Sequence, residues 1–300
     1  MATSIISGLL YSNYCIPEEI MVAVRSPDSP KTTRLRYEEA KPPPWRGGGP
    51  PPSSPPTLHL YFLPVPYHHR DLGVTIVDDA TNPTTVDELT SKCDHLILAT
   101  KPAAVPGVCR SLARRLDPSR HVVTSVAAGV TLAQLADNLP PNTHIVRAMP
   151  NTPCQVRRGV ISLTSGSQAS PTDIEALEAL FGCVGRTFVV DESAIHGVIA
   201  VAGSAPAYMY LVIEALADAG VRAGLPRKVA LEMAAMSAVG AGSMVHELGI
   251  HPGILKDEVC SPGGTTIAGV AMAEKAGLRG VMLSTAEAVV ARSREMSEED

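Results

Sequence analysis

Short apolar runs rich in β-branched residues recur along the first two thirds of the chain, at 20–24, 74–77, 95–99, 122–125, 145–148, 160–164 and 187–190. Stretches with helical spacing, 84–92, 106–116, 132–138 and 171–181, lie between several of them. Strands alternating with helices do not pair as hairpins; they build a mostly parallel sheet. The runs are continuous rather than alternating, so helices must cover both faces of that sheet. After Asp191 the strand pattern stops. Pro206 is placed to open a helix carrying Tyr208, Leu211, Val212, Ala215, Leu216 and Ala219, and Pro226 a second one rich in small residues. Two more helices are predicted at 265–275 and 279–296, with Gly277 as the cap between them. The expected architecture is α/β: a doubly wound domain over 1–190, then an all-helical domain over 191–300.

Charge and cysteine usage narrow the classes of function. Basic and acidic residues number 25 and 30, with no basic face or arginine run, which argues against nucleic acid as a partner. The six cysteines are scattered without a C-x-x-C pair, the pattern of reduced intracellular thiols rather than a disulfide frame or zinc site. No H-E-x-x-H is present, His68-His69 lie in an irregular tract, and no metal site is expected. The best apolar run, 208–216, is interrupted by Glu214, so no membrane span is expected. The first residues carry no basic leader, and a cytoplasmic location follows as the expectation.

One segment breaks the pattern. Residues 41–70 contain ten prolines, a triple glycine and the only tryptophan, Trp45, without usable periodicity. Such composition reads as a flexible excursion. Its proline triplets, Pro42-Pro43-Pro44 and Pro50-Pro51-Pro52, offer weak grounds for a polyproline ligand. Without the excursion, residues 32–39 and 71–74 would join as an ordinary helix-to-strand connection.

The chemistry concentrates in Ser261-Pro262-Gly263-Gly264-Thr265-Thr266, where a Pro-Gly-Gly turn runs into a helical pattern through Ile267, Val270, Ala271 and Glu274. Free backbone N–H groups, two hydroxyls and the positive end of a helix dipole suit a carboxylate or phosphate. The plainer reading, a helix cap after a tight turn, fits the local chemistry equally well.

Other motifs sit at strand ends, where open α/β sheets bind ligands. Strand 20–24 is followed by Arg25-Ser26-Pro27-Asp28, and a Ser with an Arg at that place suits the 2′-phosphate of NADP. Strand 95–99 runs into Ala99-Thr100-Lys101-Pro102, and strand 145–148 into Met149-Pro150-Asn151-Thr152-Pro153. Taken in order with the glycine turn, these segments resemble the pyrroline-5-carboxylate reductase family over nearly the whole chain outside the excursion. Val201-Ala202-Gly203-Ser204-Ala205-Pro206 resembles the family's Ser-Gly-Ser-Gly-Pro-Ala imperfectly, and His251-Pro252-Gly253 through Lys256-Asp257 also fits.

The resemblance implies a Rossmann-like cofactor domain, a helical dimerisation domain, and NADPH- or NADH-dependent reduction of 1-pyrroline-5-carboxylate to proline. It assigns substrate binding to Ser261, Gly263, Gly264, Thr265 and Thr266, with Thr266 also the catalytic hydroxyl at the ring nitrogen. The substrate carboxylate would rest on the backbone N–H groups of Gly264, Thr265 and Thr266. Cofactor contacts fall on Arg25, Ser26, Pro27, Asn82, Ala99, Thr100, Lys101, Pro102 and Asn151. The implied partner is a second copy of the chain, in a homodimer or larger homo-oligomer.

The sequence departs from the family at its start. Residues 1–10 resemble only the helix that follows the dinucleotide loop, so the first, central strand and its G-x-G-x-x-G are expected to be absent. That absence would separate strand 20–24 from strand 95–99 and supports a second reading, a non-catalytic or truncated paralogue. A third, another two-domain reductase such as a hydroxy-acid dehydrogenase, needs a catalytic lysine. Lys228 and Lys256 lie in the wrong context for it.

Overall fold

The computed structural model describes the strands Ile20–Val24, Leu58–Phe62 and Thr75–Asp78 and residues 83–298. These three strands are β1, β2 and β3. Then follow α1 (Pro83–Lys92), β4 (His95–Ala99), α2 (Val105–Ala113), β5 (Val122–Ser125), α3 (Leu132–Ala136), β6 (His144–Pro150), β7 (Gly159–Ser165), α4 (Pro171–Gly182), β8 (Gly185–Val189) and α5 (Ile195–Val198). The eight strands form one sheet in the order β3-β1-β2-β4-β5-β6-β7-β8. Every pairing is parallel except β6 with β7. The seven sequence-derived strands are all present, and the sheet is Rossmann-like and doubly wound, as expected.

The central position requires a correction. It is filled by β2, a strand from inside the proline-rich stretch read as a structureless excursion. Leu58–Phe62 pairs with β1 on one side and with β4 on the other, in register over all five residues. The sequence Leu-His-Leu-Tyr-Phe alternates His and Tyr with apolar residues and carries no proline, so its own propensity suits a strand. Flanking prolines obscured it, because composition over 30 residues outweighs five local ones. Strand 20–24 is therefore joined to 95–99 through an intervening strand, not separated from it.

Burial on both faces follows from the parallel arrangement. Leu96, Leu98, Val123 and Ile145 face α1, α2 and α3, packing with Val86, Leu89, Val105, Val108, Leu112 and Leu135. Their neighbours Ile97, Thr124 and Val146 are equally buried on the opposite face. On that second face His144 Nδ1 lies 2.7 Å from Asp173 Oδ2 in the first turn of α4. Burial alone would raise the Asp173 carboxyl, but hydrogen bonds from Ser170 and His144 outweigh it and hold the group below its usual range. Ser170 and Asp173 form a capping box that fixes where α4 begins. Two glycines are required by close packing: a Cβ on Gly159 would lie 2.1 Å from Cys154 Sγ in the turn before β7, and one on Gly185 2.2 Å from the Gly159 carbonyl oxygen across the strand pair.

Contacts divide the chain into two units, Met1–Val198 and Ile199–Asp300. The second opens with a π-helical turn, Ile199–Gly203, and continues as α6 (Ala205–Arg222), α7 (Arg227–Leu248), α8 (Pro252–Val259), α9 (Thr265–Lys275) and α10 (Leu278–Glu298). Helices α6 and α7 pack through small side chains, with Ala217, Ala230 and Ala234 buried beside Ile213. A Cβ on Gly220 would sit 3.0 Å from that of Ala230, so the helix axes come close only because residue 220 lacks one. Gly277, at φ 78°, separates α9 from α10 as the sequence pattern requires.

Two segments, Glu192–Arg222 and Arg227–Leu248, are long and apolar enough by composition to cross a membrane. Helices packed against protein have the same length and apolarity, so composition alone leaves the expectation of no membrane span as it stood. Little of either segment is buried within one chain.

Candidate functional site

The Ser261–Thr266 turn is built by its residue types. Gly264 N–H donates to the Ser261 carbonyl at 3.0 Å, closing a four-residue turn with Pro262 and Gly263 at its centre. Gly263 has φ 67°, a left-handed value that glycine adopts without strain, as the third residue of a type II turn requires. Gly264 then serves as N-cap of α9, and the helix opens without a side-chain cap. A Cβ there would fall 2.3 Å from Ser261 Oγ, so any larger residue would require the serine side chain to turn away. Thr265 and Thr266 are exposed at the helix start. Their N–H groups precede the first intrahelical acceptor and meet the positive end of the helix dipole. The sequence expectation counted Gly264 N–H among the anion donors; the structure commits it to the turn itself.

The preceding segment is fixed by its own cap. His251 Nδ1 accepts from Gly253 N–H at 3.1 Å and starts α8, which ends at Val259. Lys256 pairs with Asp257 next to it, and this carboxylate pushes the ammonium pKa up. A lysine serving as a base would need the opposite shift, so the hydroxy-acid dehydrogenase reading loses this candidate.

At the sheet, ligands belong where strand order reverses, between β2 and β4. Ala99 ends β4 opposite Phe62. Thr100 follows at 8% exposure, and its Oγ1 is buried with no hydrogen-bond partner among the described residues. Lys101 is exposed and extended, at φ −64° and ψ 145°, and Pro102 opens the short turn Pro102–Ala104 that leads into α2. Asn151 ends β6 at 7% exposure; its Oδ1 accepts from Val160 N–H at 2.9 Å and so ties the turn to the start of β7. An orphaned buried hydroxyl beside an exposed lysine at the switch point fits the nicotinamide end of a dinucleotide. Arg25, Ser26, Pro27 and Asn82, assigned to the adenosine end, lie outside the described residues, as do residues 1–10 and His68-His69.

Two features of this edge escaped sequence reasoning. Strand β5 ends at Ser125, whose Oγ accepts from Ala127 N–H at 3.3 Å, and the turn after it holds Gly129 at φ 81°. Its signal, Ala127-Ala128-Gly129 after a strand, was present in the sequence. Arg147, 6% exposed within β6, donates from Nη1 to Glu192 Oε1 at 3.0 Å. The same oxygen accepts the Leu132 N–H at 2.9 Å, at the start of α3. One carboxylate thus joins a strand, a helix N-terminus and the segment before α5. An arginine inside an apolar run was the available clue.

Cys93, Cys109, Cys154, Cys183 and Cys260 form no disulfide among the described residues. Burial pushes Cys109 up to about 12 and Cys154 up to about 11, and raises Cys93 as well, so none of the three is a ready nucleophile at neutral pH. No cluster of three metal-ligating side chains occurs among the described residues.

Comparison with known proteins adds independent information. Residues 192–296 match the family model described as pyrroline-5-carboxylate reductase dimerisation. The chain is 35% identical to pyrroline-5-carboxylate reductase of Escherichia coli (strain K12) over 297 residues, covering 99% of this chain and 95% of that protein. It is similar in structure to a pyrroline-5-carboxylate reductase from Coxiella burnetii, with TM-score 0.73, 30% identity and coverage of 80% of this chain and 88% of that one. A Plasmodium falciparum pyrroline carboxylate reductase with NADP bound aligns at TM-score 0.68 and 27% identity, over 80% of this chain and 87% of the other.

Proposed function

The chain belongs to the pyrroline-5-carboxylate reductase family, and from that premise we propose that it reduces 1-pyrroline-5-carboxylate to L-proline with NADPH. The nicotinamide, when bound, supplies a hydride to the imine carbon. The rest of the chemistry falls to the chain. Thr265 and Thr266 N–H groups hold the substrate carboxylate, with the Ser261 hydroxyl beside them, while Gly263 and Gly264 leave the approach free of side chains. The Thr266 hydroxyl meets the ring nitrogen and relays the proton that completes the amine. Ala99, Thr100, Lys101, Pro102 and Asn151 border the nicotinamide end of the cofactor; Arg25, Ser26, Pro27 and Asn82 take the adenosine end.

The uncapped start of α9 behind a type II turn carries this reading, because it leaves directed donors where a carboxylate fits. The protein is a homo-oligomer through its dimerisation region; we infer dimers that assemble into larger rings, working in the cytoplasm. Purified full-length protein should oxidise NADPH in step with proline formation when given pyrroline-5-carboxylate. Thr266→Ala should lower turnover by about 10²-fold or more at unchanged thermal midpoint. Full turnover in that variant would remove the hydroxyl from the mechanism, and wild-type protein that forms no proline would overturn the function.

A further inference from the structure

The turn between β5 and α3, residues 126–131, is tied at both ends to one buried side chain. At its start, β5 closes on Ser125, whose ladder partner in β6 is Arg147. At its end, Leu132 opens α3 and donates its N–H to Glu192 Oε1 at 2.9 Å, across 60 residues of sequence. The same oxygen accepts from Arg147 Nη1 at 3.0 Å, which closes a ring around the turn. Arg147 is 6% exposed, whereas the Glu192 side chain is 34% exposed. Enclosing a guanidinium costs desolvation that an apolar side chain would avoid, so stability alone is a poor reason for this pair. What the pair supplies is placement. Thr131 and Gln134 box the start of α3 locally, and Glu192 ties that start to β6. The crest of the turn, Ala128-Gly129, carries almost no side chain, so its shape depends on how its ends are held. It lies at the carboxyl ends of two parallel strands, the edge where open α/β sheets bind ligands.

We propose that Arg147 and Glu192 are positioning residues for the cofactor: through the Leu132 N–H they hold the 126–131 turn in the form that accepts the dinucleotide. The inference rests on the NADPH reading above, and neither side chain has to touch the cofactor. Arg147 fixes the carboxylate from inside the sheet, and the carboxylate passes that constraint to the helix start.

The test compares Glu192→Gln with Glu192→Ala in the full-length protein. Glutamine keeps an oxygen for Leu132 N–H and Arg147 but loses the charge, whereas alanine removes both. Each substitution leaves Arg147 without its counter-charge, so both should lower the thermal midpoint, by about 3–6 °C. Only Glu192→Ala should release the turn. Its Leu132 amide should exchange hydrogen about tenfold faster than in wild type, and its KM for NADPH should rise about 5–10-fold. Its kcat at saturating NADPH and its KM for pyrroline-5-carboxylate should stay within about twofold, as expected when only cofactor binding is weakened. Glu192→Gln should keep wild-type exchange at Leu132 and a KM for NADPH within about twofold. A KM for NADPH that rises equally in both variants, following the thermal midpoint, would make the pair merely structural and overturn the proposal. An unchanged KM in Glu192→Ala, with wild type oxidising NADPH normally, would also overturn it and leave the proposed function standing. Wild-type protein that neither binds nor oxidises NADPH would sink both.

Discussion

The two units of this protein satisfy their apolar residues in opposite ways. In the sheet unit Phe181, Leu89, Leu96 and Ile97 are fully enclosed by their own chain. In the helical unit the buried cluster comprises Ala217, Ala230 and Ala234, while Leu211, Met233, Met236, Val281 and Leu283 stand exposed. The sheet unit is a finished core. The helical unit leaves much of its apolar surface uncovered within one chain, and its match to a dimerisation family makes a second copy the occupant that we propose for it.

The largest effect that would sharpen this contrast is a truncation made in each unit. Phe181→Ala should cost about 3–5 kcal/mol and lower the thermal midpoint equally at every protein concentration. Leu283→Ala should cost little within one chain but weaken assembly, so its midpoint should fall most on dilution. If Leu283→Ala behaves identically at high and low concentration, the exposed helical face is not the assembly surface. Next in size is Leu60→Pro, which removes a ladder N–H at the centre of β2 and should cost about 3 kcal/mol. Residues 58–62 would revert to a mere excursion if urea unfolding showed that variant as stable as wild type.

The smallest effect is a pH dependence confined to the sheet unit. Burial lowers the pKa of His95, the largest cause, against smaller opposing pulls from Asp94 and Asp173. The unfolded chain therefore takes up a proton near pH 6.5 that the folded protein refuses. Stability should be fully present above that pH and decline on acidification below it, by no more than about 1.4 kcal/mol per pH unit. In His95→Gln the urea midpoint should lose that slope. A slope that persists in the variant would assign it to another group.

Much of the fold was legible along the chain. Continuous runs such as 95–99 and 122–125 announced strands covered on both faces, and each occupies its expected place. Pro226, Gly277 and Gly264 marked helix ends because their backbone limits act locally. The strand at Leu58–Phe62 was illegible for the converse reason: five suitable residues among ten prolines form a strand only when two neighbours offer unpaired edges. The Arg147–Glu192 contact spans 45 residues, and no local pattern encodes it.

At the candidate site, the sequence by itself determined the chemistry available: which residues are glycine, where the two threonines follow, and that a helix start lies there. Only the tertiary structure decided how those donors are shared. It turned the Gly264 N–H inward to Ser261 and left Thr265 and Thr266 at the open end of the helix. Residue type fixes what a group can bond to, but the folded geometry fixes which of its partners are already taken.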